Sequence, residues 1–93
     1  MIKKDKILIL GITGMLGSAL YRYFTEQTEL KTYGTLRSNK YLDFFSQYNP
    51  KNIYQDIDIT DISNLKSLVS SLKPRIIVNC IGVIKQSDLL NKT

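Results

Sequence analysis

Residues 6–17 read Lys6-Ile-Leu-Ile-Leu10-Gly11-Ile-Thr13-Gly14-Met15-Leu16-Gly17. Ile7 to Leu10 form an apolar run without polar alternation, which predicts a strand covered on both faces, as in a parallel sheet. Gly11 stops that run. From Met15 to about Gln27 the apolar residues Leu16, Ala19, Leu20, Tyr23 and Phe24 fall at helical spacing, with Ser18, Arg22, Thr25 and Glu26 between them, so an amphipathic helix follows at once. A strand that passes through Gly-x-x-Gly-x-x-Gly into a helix makes a turn suited to phosphate. Gly11 can take dihedrals closed to other residues, Gly14 lets a pyrophosphate reach the backbone, and Gly17 lets the helix lie close against the sheet. The first-turn N–H groups and the positive helix end then face the phosphates. A P-loop is excluded, because Ser18-Ala19 follow Gly17 where that loop requires a Lys-Ser/Thr pair.

Downstream, Leu30 to Leu36 reads as a second strand rich in Thr and Tyr, with Gly34 as its weak point. Asn39–Asn52 contains Tyr41, Leu42, Phe44, Phe45 and Tyr48 before Asn49-Pro50, a pattern that predicts a short helix or an ordered loop. Ile53-Tyr54 opens a third strand expected to run through Asp58. Thr60 or Asp61 then caps a helix carrying Ile62, Leu65, Leu68, Val69 and Leu72, and Pro74 prevents its continuation. Arg75–Ile81 is a fourth strand, closed by Gly82, and Val83–Thr93 shows no complete element. Strands joined by helix-length crossovers must be parallel, with right-handed connections and helices on both faces. The expected fold is therefore α/β: a Rossmann-type parallel sheet, the first half (βαβαβαβ) of a doubly wound fold, occupying residues 1–93.

Composition narrows the function. The chain has 93 residues, 43% hydrophobic and 23% charged, which suits one globular unit and excludes disorder. Such a unit buries only about 60 to 65% of its unfolded surface, so its core is marginal. No apolar run approaches the ~20 residues of a membrane span, and the N-terminus lacks a signal-peptide pattern, so the expected location is cytoplasmic. One cysteine, Cys80, and no histidine remove internal disulfides, zinc sites and histidine triads together. Thirteen Lys and Arg against 8 Asp and Glu give a charge of +5. The basic residues are scattered and match no nucleic-acid module, so a phosphorylated small molecule is the better partner.

Dinucleotide folds usually carry an acid ~20 residues after the glycines, to hold the adenosine ribose hydroxyls. Here that place holds Arg37, followed by Ser38. An arginine's fork of donors can grip a ribose 2′-phosphate, which argues for NADP(H) over NAD(H). The plainer reading of Arg37 is a solvated surface residue. Asp58-Ile59, past the third strand, could serve the adenine amino group and a ring nitrogen; Asp56, Asp58 and Asp61 could equally be loop and capping residues. Asn79-Cys-Ile81-Gly82 ends the fourth strand with small residues that leave room for a cofactor, and Cys80 reads as a small core residue.

Gly11 to Gly17, Asp58-Ile59, Leu72-Lys-Pro-Arg-Ile-Ile-Val-Asn79 and Gly82-Val-Ile-Lys-Gln86 together resemble the N-terminal segment of the extended short-chain dehydrogenase/reductases. Within these, the chain is most similar to the dTDP-4-dehydrorhamnose reductase-like, sugar-nucleotide-binding proteins. The resemblance implies that the glycine turn, with Thr13 in it, binds the dinucleotide through Gly14, Met15 and Leu16 at the pyrophosphate. It puts Arg37 at the 2′-phosphate, Asp58 and Ile59 at the adenine, and Ile81, Gly82 and Val83 at the ribose beside the nicotinamide. It also implies a nucleotide-linked 4-keto-sugar as substrate of the parent enzyme; a nucleotide-sugar epimerase or dehydratase sharing this opening is the alternative among enzymes, and a non-catalytic NADP(H)-binding module the alternative from another class. Such enzymes catalyse with Tyr-x-x-x-Lys, and none of the six tyrosines here has a lysine four residues on. The catalytic segment and substrate domain are thus expected to lie beyond this chain, which leaves the fourth strand as an apolar edge prone to association.

Overall fold

The computed structural model describes residues 5–58 and 60–81. Strands β1 (Lys6–Leu10), β2 (Lys31–Thr35), β3 (Ile53–Tyr54) and β4 (Ile76–Asn79) form one sheet in the order β3-β2-β1-β4. Every pairing is parallel, with Ile7 opposite Thr32 and Ile76, and Ile9 opposite Gly34 and Val78. The α/β fold class is as expected, and β1 is covered on both faces as its apolar run implied. All of Ile7, Leu8, Ile9 and Leu10 are buried, because each face of β1 meets its own layer. Ile7 and Ile9 pack with Ile12, Tyr21, Leu36, Phe45 and Ile53 on one side. Leu8 and Leu10 pack with Leu68 and Leu72 on the other.

Helix α1 (Met15–Gln27) covers the first face and α2 (Ile62–Leu72) the second. A 3-10 segment, Asn39–Phe45, fills the stretch that promised a short helix or loop; it brings Phe45 edge-on to Tyr21. Of the two candidate caps for α2, Asp61 is the one used, its carboxylate accepting from the Asn64 N–H at 3.2 Å. The helix ends on Lys73 in the left-handed region (φ 53°), just before Pro74. Lys6 Nζ donates to the Leu72 carbonyl at 3.1 Å, which ties that end to the start of β1.

Three expectations need correction. The third strand does not reach Asp58: it stops at Tyr54, because Asp56 takes a left-handed φ of 58° that breaks the ladder. The fourth strand is limited to Ile76–Asn79, with Arg75 and Cys80 held at its ends by single bonds to Lys6 and Leu10 carbonyls. The buried face of α1 is also not the expected one. Gly17 and Tyr21 are buried, with Leu20 and Phe24 beside them, while Leu16, Ala19 and Tyr23 face outward. At about 100° per residue the outward set lies on the adjoining flank, and clearance at Gly17 rather than apolar content sets the rotation.

Candidate functional site

The chain leaves β1 at Gly11 with φ 79°, a backbone region that side chains rarely adopt. The Gly11 N–H donates to Thr35 Oγ1 at 3.0 Å, and the next N–H, of Ile12, donates to the Thr35 carbonyl at 3.0 Å. Ile12 is thereby driven into the core, where the bare backbone of Gly34 makes room for it and for Tyr21. Gly17 presses its Cα side against the Gly11 carbonyl oxygen, and a Cβ there would overlap that atom. The expected close approach of helix and turn is therefore real, and two glycines are needed for it.

The N-terminus of α1 begins on Gly14, extended at φ −74° and ψ 170°, with no side-chain cap and no acid in the first turn. Ser18 N–H takes the Gly14 carbonyl at 2.9 Å, so the N–H groups of Met15, Leu16 and Gly17 precede the first intrahelical bond. Open space lies above Gly14. Thr13, Gly14, Met15 and Leu16 are all exposed. Partial positive charge, with no acid in the first turn and open space beside it, suits an anion.

At the far end of β2 the backbone is pinned on both sides: Leu36 N–H donates to the Tyr54 carbonyl at 2.8 Å, and Ile57 N–H to the Leu36 carbonyl at 3.0 Å. This brings together two residues that the sequence separates, Arg37 and Asp58, whose charged groups stand 4.0 Å apart. The Arg37 side chain is 86% exposed, so the pair is solvent-screened and the guanidinium is open to a ligand. Asp58 Oδ1 accepts from the Thr60 hydroxyl at 2.7 Å and from the Thr60 N–H at 2.9 Å. These bonds, with Arg37 adding to them, hold the Asp58 carboxyl below its ordinary value, so it stays an anionic acceptor at neutral pH.

Ile81 follows β4 and lies over the side of Gly11 where a Cβ would stand, its N–H donating to Asn79 Oδ1 at 2.9 Å. Of the expected site, the glycine turn and Ile81 thus meet at the C-terminal ends of β1 and β4, and Arg37 and Asp58 meet beyond the ends of β2 and β3. Ile59, Gly82 and Val83 lie outside the described residues. Cys80 is half-buried against the α1-side core, and burial pushes its thiol up, away from the reactive thiolate. The residue that sequence reasoning missed is Thr35. Its one readable signal is its place at the end of a strand, two residues before Arg37.

Among the described residues, no helix is long and apolar enough to cross a membrane. Comparison with family models gives one match, to the NAD dependent epimerase/dehydratase family, over residues 7–91. No curated protein and no solved structure matches the chain.

Proposed function

Since the chain belongs to the NAD dependent epimerase/dehydratase family and its sheet is an NAD(P)-binding Rossmann module, we propose that it takes NADP(H) in preference to NAD(H). We place it as the N-terminal part of a reductase acting on a nucleotide-linked 4-keto-sugar. The observation that carries the cofactor preference is Arg37, which stands exposed at the end of β2 where an acid would select NAD(H). Bidentate donors suit a phosphate dianion there, and they leave Asp58, in the segment after β3, for the adenine amino group. Gly14, Met15 and Leu16 would hold the pyrophosphate over the open N-terminus of α1. Ile59 would complete the adenine contact, and Ile81, Gly82 and Val83 the ribose beside the nicotinamide.

When bound, the dinucleotide supplies or accepts hydride; this chain's own residues bind and orient it. The keto-sugar assignment is supported by the Lys73-Pro74 to Asn79 and Gly82 to Gln86 segments, as they stand in the sequence. A second reading, a fragment of a nucleotide-sugar epimerase or dehydratase, is favoured by the family description itself. A Tyr-x-x-x-Lys pair following this segment in the reading frame would fit both, and net NADPH consumption with a 4-keto-sugar nucleotide by the full-length parent separates the reductase.

Calorimetric titration of NADPH and NADH against the chain and against Arg37→Asp tests the preference. Loss of a charge-assisted phosphate contact is expected to weaken NADPH about ten- to hundredfold, with NADH gaining or unchanged. Equal affinities for the two cofactors, before and after the substitution, would remove Arg37 from the argument.

A further inference from the structure

We infer that Thr35 is a positioning residue for the dinucleotide: its hydroxyl sets the phosphate turn without touching the ligand. Thr35 is buried at the last position of β2, 1% exposed. It offers two acceptors to two consecutive N–H groups of the turn, Oγ1 to Gly11 and the carbonyl to Ile12, each at 3.0 Å. Gly11 has left the sheet with φ 79°, and the Thr35 hydroxyl takes up its N–H beside the sheet. The orientation of the Gly11–Ile12 peptides in turn places the Gly11 carbonyl, the atom against which Gly17 and hence the start of α1 are seated.

The same short segment also sets the span of the site. Leu36, next in the chain, is pinned to Tyr54 and Ile57 by backbone bonds, and Arg37 follows it. Thr35 therefore connects the turn proposed for the pyrophosphate to Arg37 through Leu36, whose N–H and carbonyl are both hydrogen-bonded. A valine has nearly the same shape but no acceptor, so Thr35→Val would leave the Gly11 N–H unpaired in a part-buried place. The turn would then populate other arrangements, and apparent affinity falls with the competent fraction.

This inference rests on the dinucleotide reading above, and its test separates the two. NADPH and adenosine 2′-monophosphate, which carries the 2′-phosphate but no pyrophosphate, are titrated into the wild-type chain and into Thr35→Val, Thr35→Ser and Thr35→Ala. Melting temperature is followed in parallel. Thr35→Val is expected to raise the NADPH dissociation constant about three- to tenfold, with Thr35→Ser and adenosine 2′-monophosphate binding within about twofold of wild type. Thr35→Ala should weaken NADPH as valine does, so the serine and alanine variants decide the matter even if the valine variant does not fold. NADPH binding unchanged by the loss of the hydroxyl, or serine as weak as alanine, would overturn the role, since a melting-temperature change alone marks a structural residue. A wild-type chain that takes up neither probe overturns the dinucleotide reading, and this inference with it.

Discussion

Gly17 faces the Gly11 carbonyl so closely that any side chain must push α1 off the turn. Gly17→Ala is therefore expected to cost about 1 to 3 kcal/mol in stability, read from urea unfolding midpoints, and to lower NADPH affinity as well. A stability equal to wild type would mean the helix start can move freely. Tyr21 carries a different load: burial, with Tyr48 nearby, pushes its hydroxyl up to about 12. The unfolded chain releases that proton near pH 10, the folded chain only near pH 12. The folded state thus binds more protons, so full stability below the unfolded value is lost progressively as pH rises through that interval. Tyr21→Phe keeps the ring against Phe45 and Tyr48 and should flatten this alkaline limb; an unchanged limb would assign it to Tyr48 or Tyr54, both also raised by burial. At this scale the glycines were legible, because a turn of this kind constrains backbone that only they satisfy. Thr35 was not, because its part depends on which strand end the topology sets beside the turn.

Helix α2 depends on its ends. Asp61 satisfies the Asn64 N–H, and Asp61→Ala is expected to lower stability by about 1 kcal/mol, or roughly 4 to 8 °C in a domain of this size. Circular dichroism melts measure it, and a shift within error would show that water serves the end equally well. The bounds of α1 and α2 could be read from apolar spacing and from Pro74. The rotation of α1 could not, since Leu16, Ala19 and Tyr23 offer a rival apolar flank and only the contact of Gly17 with β1's exit decides between them. Similarly, Ile53-Tyr54 begins a strand whose end inside Gln55-Asp56-Ile57-Asp58 is marked only by the tolerance of aspartate for the positive φ that Asp56 adopts.

For the molecule as a whole, parallel pairing followed from strands joined by helix-length crossovers, and the order β3-β2-β1-β4 brings four strand ends to one rim. The outer side of β4 is the weak point. Ile76 and Ile77, on opposite faces of that strand, are 41% and 47% exposed, and among the described residues no strand lies beyond it. A short apolar edge with free backbone groups pairs with other chains. Purified chain is expected to associate in light scattering as concentration rises, and Ile77→Lys to hold it monomeric; a monodisperse wild type would show that the edge is covered. The chain is also expected to consume no NADPH with keto-sugars, having no tyrosine with lysine four residues on.

The uncapped start of α1 reaches further than the binding site. An anion seated there completes the helix, and any ligand held by the native form alone adds about 2.7 kcal/mol at a hundredfold excess over its dissociation constant. For so small a core that increment is a large share of the total. If the proposed dinucleotide is that anion, the fraction of molecules open to proteolysis would follow its supply, and the lifetime of the protein would become a property of that pool.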